Sequence, residues 1–173
     1  MKAKNTEAES WLALAEISFE ESRFPEAYTL ARQAAEEFHR EKAVHTELQA
    51  QASMALTMLA QRRVADAQRL LDKMRPQLKN LQYRGIRIAC DIAAERVAAA
   101  AGKRDEAAKG LEALLLESTQ LGFLGMQFDI RLALGEIEMK SGEGRRGEAR
   151  LMALEREATA KGFALVARKA AAR

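Results

Sequence analysis

"SGEGRRGEAR", residues 141–150, carries Gly142, Gly144 and Gly147 in the spacing G-x-G-x-x-G. In dinucleotide-binding proteins such a triplet follows a β-strand and opens a helix, so that phosphate meets the helix N-terminus. An acidic residue about 20 positions on then ends a second strand. The flanking sequence excludes that setting. "ALGEIEMK", before the loop, has helical rather than alternating periodicity, and the acids that follow, Glu155 and Glu157, fall inside another helical segment. No Lys-Ser/Thr pair follows to make a Walker-type loop. The stretch therefore reads as a turn between two helices. Gly142 ends the first helix, where a left-handed conformation suits glycine. Gly147 sits at a packing position in the second, and Gly144 loosens the turn.

Overlaying the chain on itself at an offset of 40 supports this reading, because small residues align first, as Ala27, Ala67, Ala107 and Gly147. Further columns hold Ala31, Leu71, Leu111 and Leu151, then Ala34, Met74, Leu114 and Leu154. Upstream columns hold Leu14, Met54, Ala94 and Leu134, then Ile17, Thr57, Val97 and Ile137. The spacing predicts helix pairs at 7–22 and 25–40, 43–61 and 64–79, 83–101 and 104–120, and 124–141 and 145–161, with a last helix over 163–172. A lone hairpin cannot bury all its apolar faces, so stacked hairpins share one core. The expected fold class is all-α: an α-solenoid of four helix hairpins with a closing helix, forming one domain over 1–173. Phe163, Leu165 and Val166 are expected to cover the last pair while Arg168, Lys169 and Arg173 face water. Pro25 opens its helix without cost, and Pro76 predicts a kink over residues 72–76.

Composition agrees with that class. The 173 residues are 48% hydrophobic and 31% charged, with 10 Gly, 2 Pro and 5% aromatic residues, a profile of helix formers with few breakers. The net charge of +3 arises from 28 basic and 25 acidic residues interspersed throughout, which describes a solvated helical surface rather than a nucleic-acid face. No apolar run approaches a membrane span and no signal peptide opens the chain, so the expected setting is cytoplasmic. The single cysteine, Cys90, lies in the apolar "IRIACDIA" and is expected to be a buried, inert thiol.

The chain resembles the tetratricopeptide repeat family on these columns. Trp11, Leu14, Ala15 and Ala27 in the first unit, Leu134-Gly135 in the fourth, and "AAGKRDEAAKGLEALL" (100–115) match its helix-turn-helix pattern. The period of 40 exceeds the commonest family form of about 34. In that respect it is similar to long-repeat superhelices attached to bacterial kinases and transcription regulators. The resemblance implies that first helices line a concave groove. The groove positions would be Glu9, Leu12, Glu16 and Phe19, then Gln49, Ala52, Leu56 and Leu59, then Ala89, Ile92, Arg96 and Ala99, and finally Asp129, Leu132, Glu136 and Met139. This face is apolar with scattered charge. The Lys and Asn with which the family's chaperone cofactors clamp a peptide carboxylate are absent here.

Catalytic and metal sets are not evident. His39 and His45 flank a helix junction with surface glutamates nearby, and neither has a nucleophile in an identifiable motif. The register aligns Trp11, Gln51, Asp91 and Arg131, and places Glu95 at a crowded position where Arg87 or Arg131 is expected to pair with it or with Asp91. Trp11 and Phe19 stand near an uncapped N-terminal end, which implies a fragment of a larger protein or self-association there. The expected function is a non-catalytic scaffold binding a protein or peptide segment, without cofactor or metal, as the regulatory arm of a signalling protein. The alternative is a sensor holding a small ligand within the superhelix.

Overall fold

From α2 onward a helix begins every 20 residues, at 24, 44, 64, 84, 104, 124, 144 and 164. The structure, a computed structural model, describes residues 2–172, with side chains from residue 7; Arg173, expected to face water, lies outside the described residues. The helices among these residues are α1 (Lys2–Glu20), α2 (Phe24–Arg40), α3 (Val44–Ala60), α4 (Val64–Leu78), α5 (Arg84–Ala100), α6 (Arg104–Gln120), α7 (Leu124–Lys140), α8 (Gly144–Ala160) and α9 (Ala164–Ala171). The fold class is all-α, a helical-repeat solenoid built from consecutive hairpins.

The uniform spacing comes from the junctions. Ser22, Lys42, Arg62, Gly102, Gly122, Gly142 and Gly162 all adopt positive φ, between 57° and 97°. At the first junction Ser22 N–H donates to Phe19 O at 2.9 Å and Arg23 N–H to Ser18 O at 2.8 Å. That pair of bonds satisfies carbonyls left open at the helix end. The same pair recurs after Phe38, Met58, Ser118 and Ala158. Helix starts lack an equivalent side-chain signal: Arg23, Ala43, Arg63, Tyr83, Lys103, Phe123, Glu143 and Phe163 precede α2 to α9, and none makes a side-chain cap bond. Gly144 is accordingly the first residue of α8 rather than part of the turn.

One junction departs from the rule. α4 runs through Pro76 and stops at Leu78, and residues 79–83 carry no left-handed residue. The proline lacks an N–H and crowds the preceding turn, yet α4 continues through it for two more residues.

Two compact units result, Met1–Ala101 and Gly102–Arg173. In the first, α1 packs on α2, α2 on α3, α3 on α4 and α5, and α4 on α5, while α1 also touches α3. In the second, α6 packs on α7, α7 on α8, and α9 on both α7 and α8. The hairpin expected over 83–120 thus has its first helix in one unit and its second in the other. α3 and α7 carry the widest buried faces, eight residues each, against six in α2 and α5 and four in α4, α6 and α8. They are also the helices packed against the most neighbours, α3 against α1, α2, α4 and α5, and α7 against α6, α8 and α9. In the second unit Phe163 and Val166 pack against the core and the Phe163 ring meets Phe128 edge-on at 5.0 Å, but Leu165 stays 39% exposed. Ala167 and Ala170 are the buried residues of α9, being small enough to let the helix lie close. Arg168 faces water and Lys169 is half-buried.

The small-residue column is buried throughout, and within the second unit it fixes the crossing of α7 and α8. Ala27, Ala67 and Ala107 have no exposed surface, and Gly147 is the extreme case. A Cβ there would lie 2.7 Å from Met139 N and 2.8 Å from Gly135 O, both backbone atoms of α7. Across the same contact, a Cβ on Gly135 would meet the Leu151 side chain at 2.6 Å.

A charge network joins the three full-length helices of the second unit. Glu138 of α7 is 4% exposed, and Arg150 of α8 donates to its two carboxylate oxygens from Nε and Nη2 at 3.0 Å each. Arg150 Nη2 also reaches Glu112 of α6 at 2.7 Å, and Arg146 Nε lies 3.1 Å from Glu138. Burial disfavours the Arg150 cation, but the hydrogen bonds and charges of Glu138 and Glu112 outweigh it and raise its pKa.

Gly147→Ala is expected to cost about 1–3 kcal/mol through forced separation of α7 and α8, against a helix-propensity gain of about 1 kcal/mol. Its thermal midpoint by circular dichroism should fall. Gly144→Ala, where a methyl meets nothing within 4 Å, should keep or raise it. In a second test, Arg150→Leu strands Glu138 with Arg146 alone and should cost about 3 kcal/mol. Glu138→Leu/Arg150→Leu should recover at least half of that loss in urea titrations; a purely additive double variant would mean that the pair is not coupled.

Candidate functional site

In the first unit the first helices α1, α3 and α5 are neighbours, and their equivalent residues form rows. Glu9, Gln49 and Ala89 make one accessible row, and Glu16, Leu56 and Arg96 a second. Glu16 is open to solvent, yet neighbouring protein partly shields its carboxyl and Glu20 adds a like charge one turn on. Desolvation first and Glu20 second raise its pKa. Leu56 and Leu59 are half-buried, leaning on the core formed by α3, α4 and α5. Phe19 is half-buried, its ring edge-on to Phe24 at 5.6 Å across the α1–α2 junction.

Five expected groove residues are core instead. Leu12 is 6% exposed, Ile92 7% and Leu132 4%, and Ala52 in the same column is 6%. Leu12 packs with Ala8, Ala15 and Phe38, and Leu132 with Phe128 and Leu154. Being apolar, that column is buried rather than open, and so is Ala99, at 7% exposure. The open face is consequently more polar than its sequence suggests. In the second unit, Asp129 and Met139 of α7 are exposed and Glu136 is half-buried.

A second concavity, of about 540 Å³, lies between α2, α3 and α4 and contains none of the expected groove residues. Its floor is Ala35, Met54 and Leu70, and its rim includes Arg32, Glu36 and Glu47. The rim groups partner each other: Arg32 Nη1 bonds Glu36 at 2.7 Å, and Glu47, 8% exposed, accepts from Gln51 at 3.0 Å with His39 Nδ1 3.1 Å away. Its periodic signal was hidden because Glu47 reads as one more helix-surface acid until α2 is laid over it.

The remaining polar candidates are held locally. Arg87 Nη1 bonds Asp91 at 3.1 Å, one helical turn apart as expected. Arg131 instead pairs with Glu157 of α8 at 2.6 Å, its guanidinium over the Phe128 ring. His45 stacks on Tyr83 at 4.7 Å. Among the described residues no group of three or more His, Cys, Asp and Glu could hold a metal ion, and no helix is long and apolar enough to cross a membrane. In the glycine loop, α7 stands where a phosphate site needs a strand, and Gly147 is pressed against that helix.

Comparisons with protein-family models, with curated proteins and with solved structures each gave no match.

Cys90 has no exposed surface and lies 3.6 Å from Leu48 O. Burial, with a smaller contribution from Asp91, pushes its thiol up to about 12. A thiolate is therefore rare at neutral pH. The native chain should react with a disulfide reagent only as fast as it opens, and urea should accelerate the reaction in step with unfolding. Rapid stoichiometric labelling of folded protein would contradict this.

Proposed function

We propose that the chain is a non-catalytic, tetratricopeptide-like scaffold that holds a protein segment across α1, α3 and α5. It would serve as a regulatory or docking arm of a bacterial-type signalling protein. The observation that carries this reading is the row Glu16, Leu56, Arg96, which runs acid, apolar, base over three neighbouring helices. Packed helices lie about 10 Å apart, a distance that about three residues of extended chain cover. A segment with a basic, an apolar and an acidic side chain at three-residue intervals complements that row in sign and length. Charges in such a rim set register and orientation more than affinity, so the apolar contact at Leu56 would supply the binding strength.

The concavity between α2, α3 and α4 favours a second reading, a small-ligand sensor, because its volume suits a small molecule. Its polar rim is already satisfied internally, which makes it the weaker basis of the two.

Selection of displayed random peptides on the chain should enrich the basic–apolar–acidic spacing. Leu56→Ala and Arg96→Gln should each weaken the selected peptides by roughly tenfold or more in protein that circular dichroism shows to be folded. Enriched peptides indifferent to both variants would overturn the reading. Stabilisation by small molecules that is lost in a cavity-filling Ala35→Phe variant would replace it with the sensor.

A further inference from the structure

α1 shows to solvent a face that the later first helices bury. In the 40-residue register its Ser10, Ala13, Leu14 and Ile17 correspond to Ile130, Ala133, Leu134 and Ile137 of α7, all buried. The equivalent positions of α3 include Ala50, Met54 and Thr57, and those of α5 include Cys90, Ala93 and Val97, buried as well. In α1 all four are exposed, Leu14 at 49% and Ile17 at 52%.

What covers the face elsewhere is always the second helix of the preceding hairpin: α2 on α3, α4 on α5 and α6 on α7. α2 does so with Ala31, Ala34, Ala35 and Phe38, which share a cluster with Ala50 and Met54. A polar contact marks the edge of the interface. His39, in the last turn of α2, faces Glu47, and Gln127 of α7 donates to Ser118 O of α6 at 3.2 Å. Glu7 of α1 occupies that same column and is exposed.

We infer that this face is a docking site for an amphipathic helix of the chemistry that α2 offers α3. Such a helix runs antiparallel to α1, with a stripe of alanines, an aromatic residue towards its C-terminal end and basic residues in its last turn against Glu7. Charge selects such a partner over a second copy of α1. From residue 7 onward every charged residue of α1 is a glutamate, so pairing two copies sets acid against acid.

A lactam-bridged helical peptide with the sequence of residues 24–40, titrated into the full chain, tests the assignment. Trp11, the single tryptophan, is half-buried on α1 near Leu14 and reports binding by its fluorescence. A saturable one-to-one change is expected. It should weaken roughly tenfold or more in Leu14→Glu, Ile17→Glu and Glu7→Lys, and stay unchanged in Leu165→Glu. Exposed positions tolerate these substitutions, and circular dichroism melts of each variant confirm the fold. Absence of a saturable change, or equal binding by Leu14→Glu and the unaltered chain, would overturn the inference. So would a dimer in sedimentation velocity that the same variants dissolve, since the occupant would then be a second copy.

Discussion

Where α7 crosses α8, two peptide backbones touch with no side chain between them. Gly147 leaves no room for even a methyl group against the Gly135 carbonyl and the Met139 amide. In the first unit, Ala27 and Ala67 hold the equivalent positions, both without exposed surface. This near-contact sets the distance between paired helices, and the distance decides which further side chains reach the core. Leu151 can fill the crossing in the second unit only because Gly135 yields space, and the same approach lets Arg150 reach Glu138 with both nitrogens. Interiors are packed as densely as crystals, so a closer backbone leaves less volume for apolar side chains. That explains how a chain in which alanine is so common can bury a continuous core within each unit.

The division of labour between helices follows from the same packing. Second helices present a broad charged surface, with pairs such as Arg32–Glu36 and Arg63–Asp66 one turn apart. Such pairs contribute little to stability individually and mainly keep the surface wetted. The first helices α3, α5 and α7 are largely enclosed, whereas α1 keeps an exposed face with Leu14 and Ile17 on it.

Much of this was legible in the sequence, and the misses share a cause. The recurrence of small residues at 27, 67, 107 and 147 gave the hairpins, and glycines at 102 and 142 gave their turns. The left-handed residues at Ser22, Lys42 and Arg62 were not marked by glycine, and none of α2 to α9 starts with a capping side chain. Boundaries therefore had to come from the period, which placed most of them within a residue. Burial was harder to read. Leu12, Ile92 and Leu132 stand in a helical column next to the open rows, and a turn of some tens of degrees about the helix axis decides between core and solvent. Arg150 and Glu112 are 38 residues apart, so no local spacing announces their network. Leu165 shows the opposite error, because an apolar residue in a short terminal helix had too little protein near it to be covered.

Because, apart from residues 79–83, the turn within a hairpin and the turn between hairpins both carry a left-handed residue, the backbone there does not distinguish a first helix from a second. Both halves of the repeat are interchangeable as geometry, and only the side chains tell them apart. Loss of a whole repeat would leave every column in phase. Loss of 20 residues would preserve helix lengths and turns while installing a narrow apolar face where a wide one belongs, a frame error at the level of tertiary structure. The chain thus has a reading frame of its own, counted in helices, and natural variation in its length should come in even numbers of them.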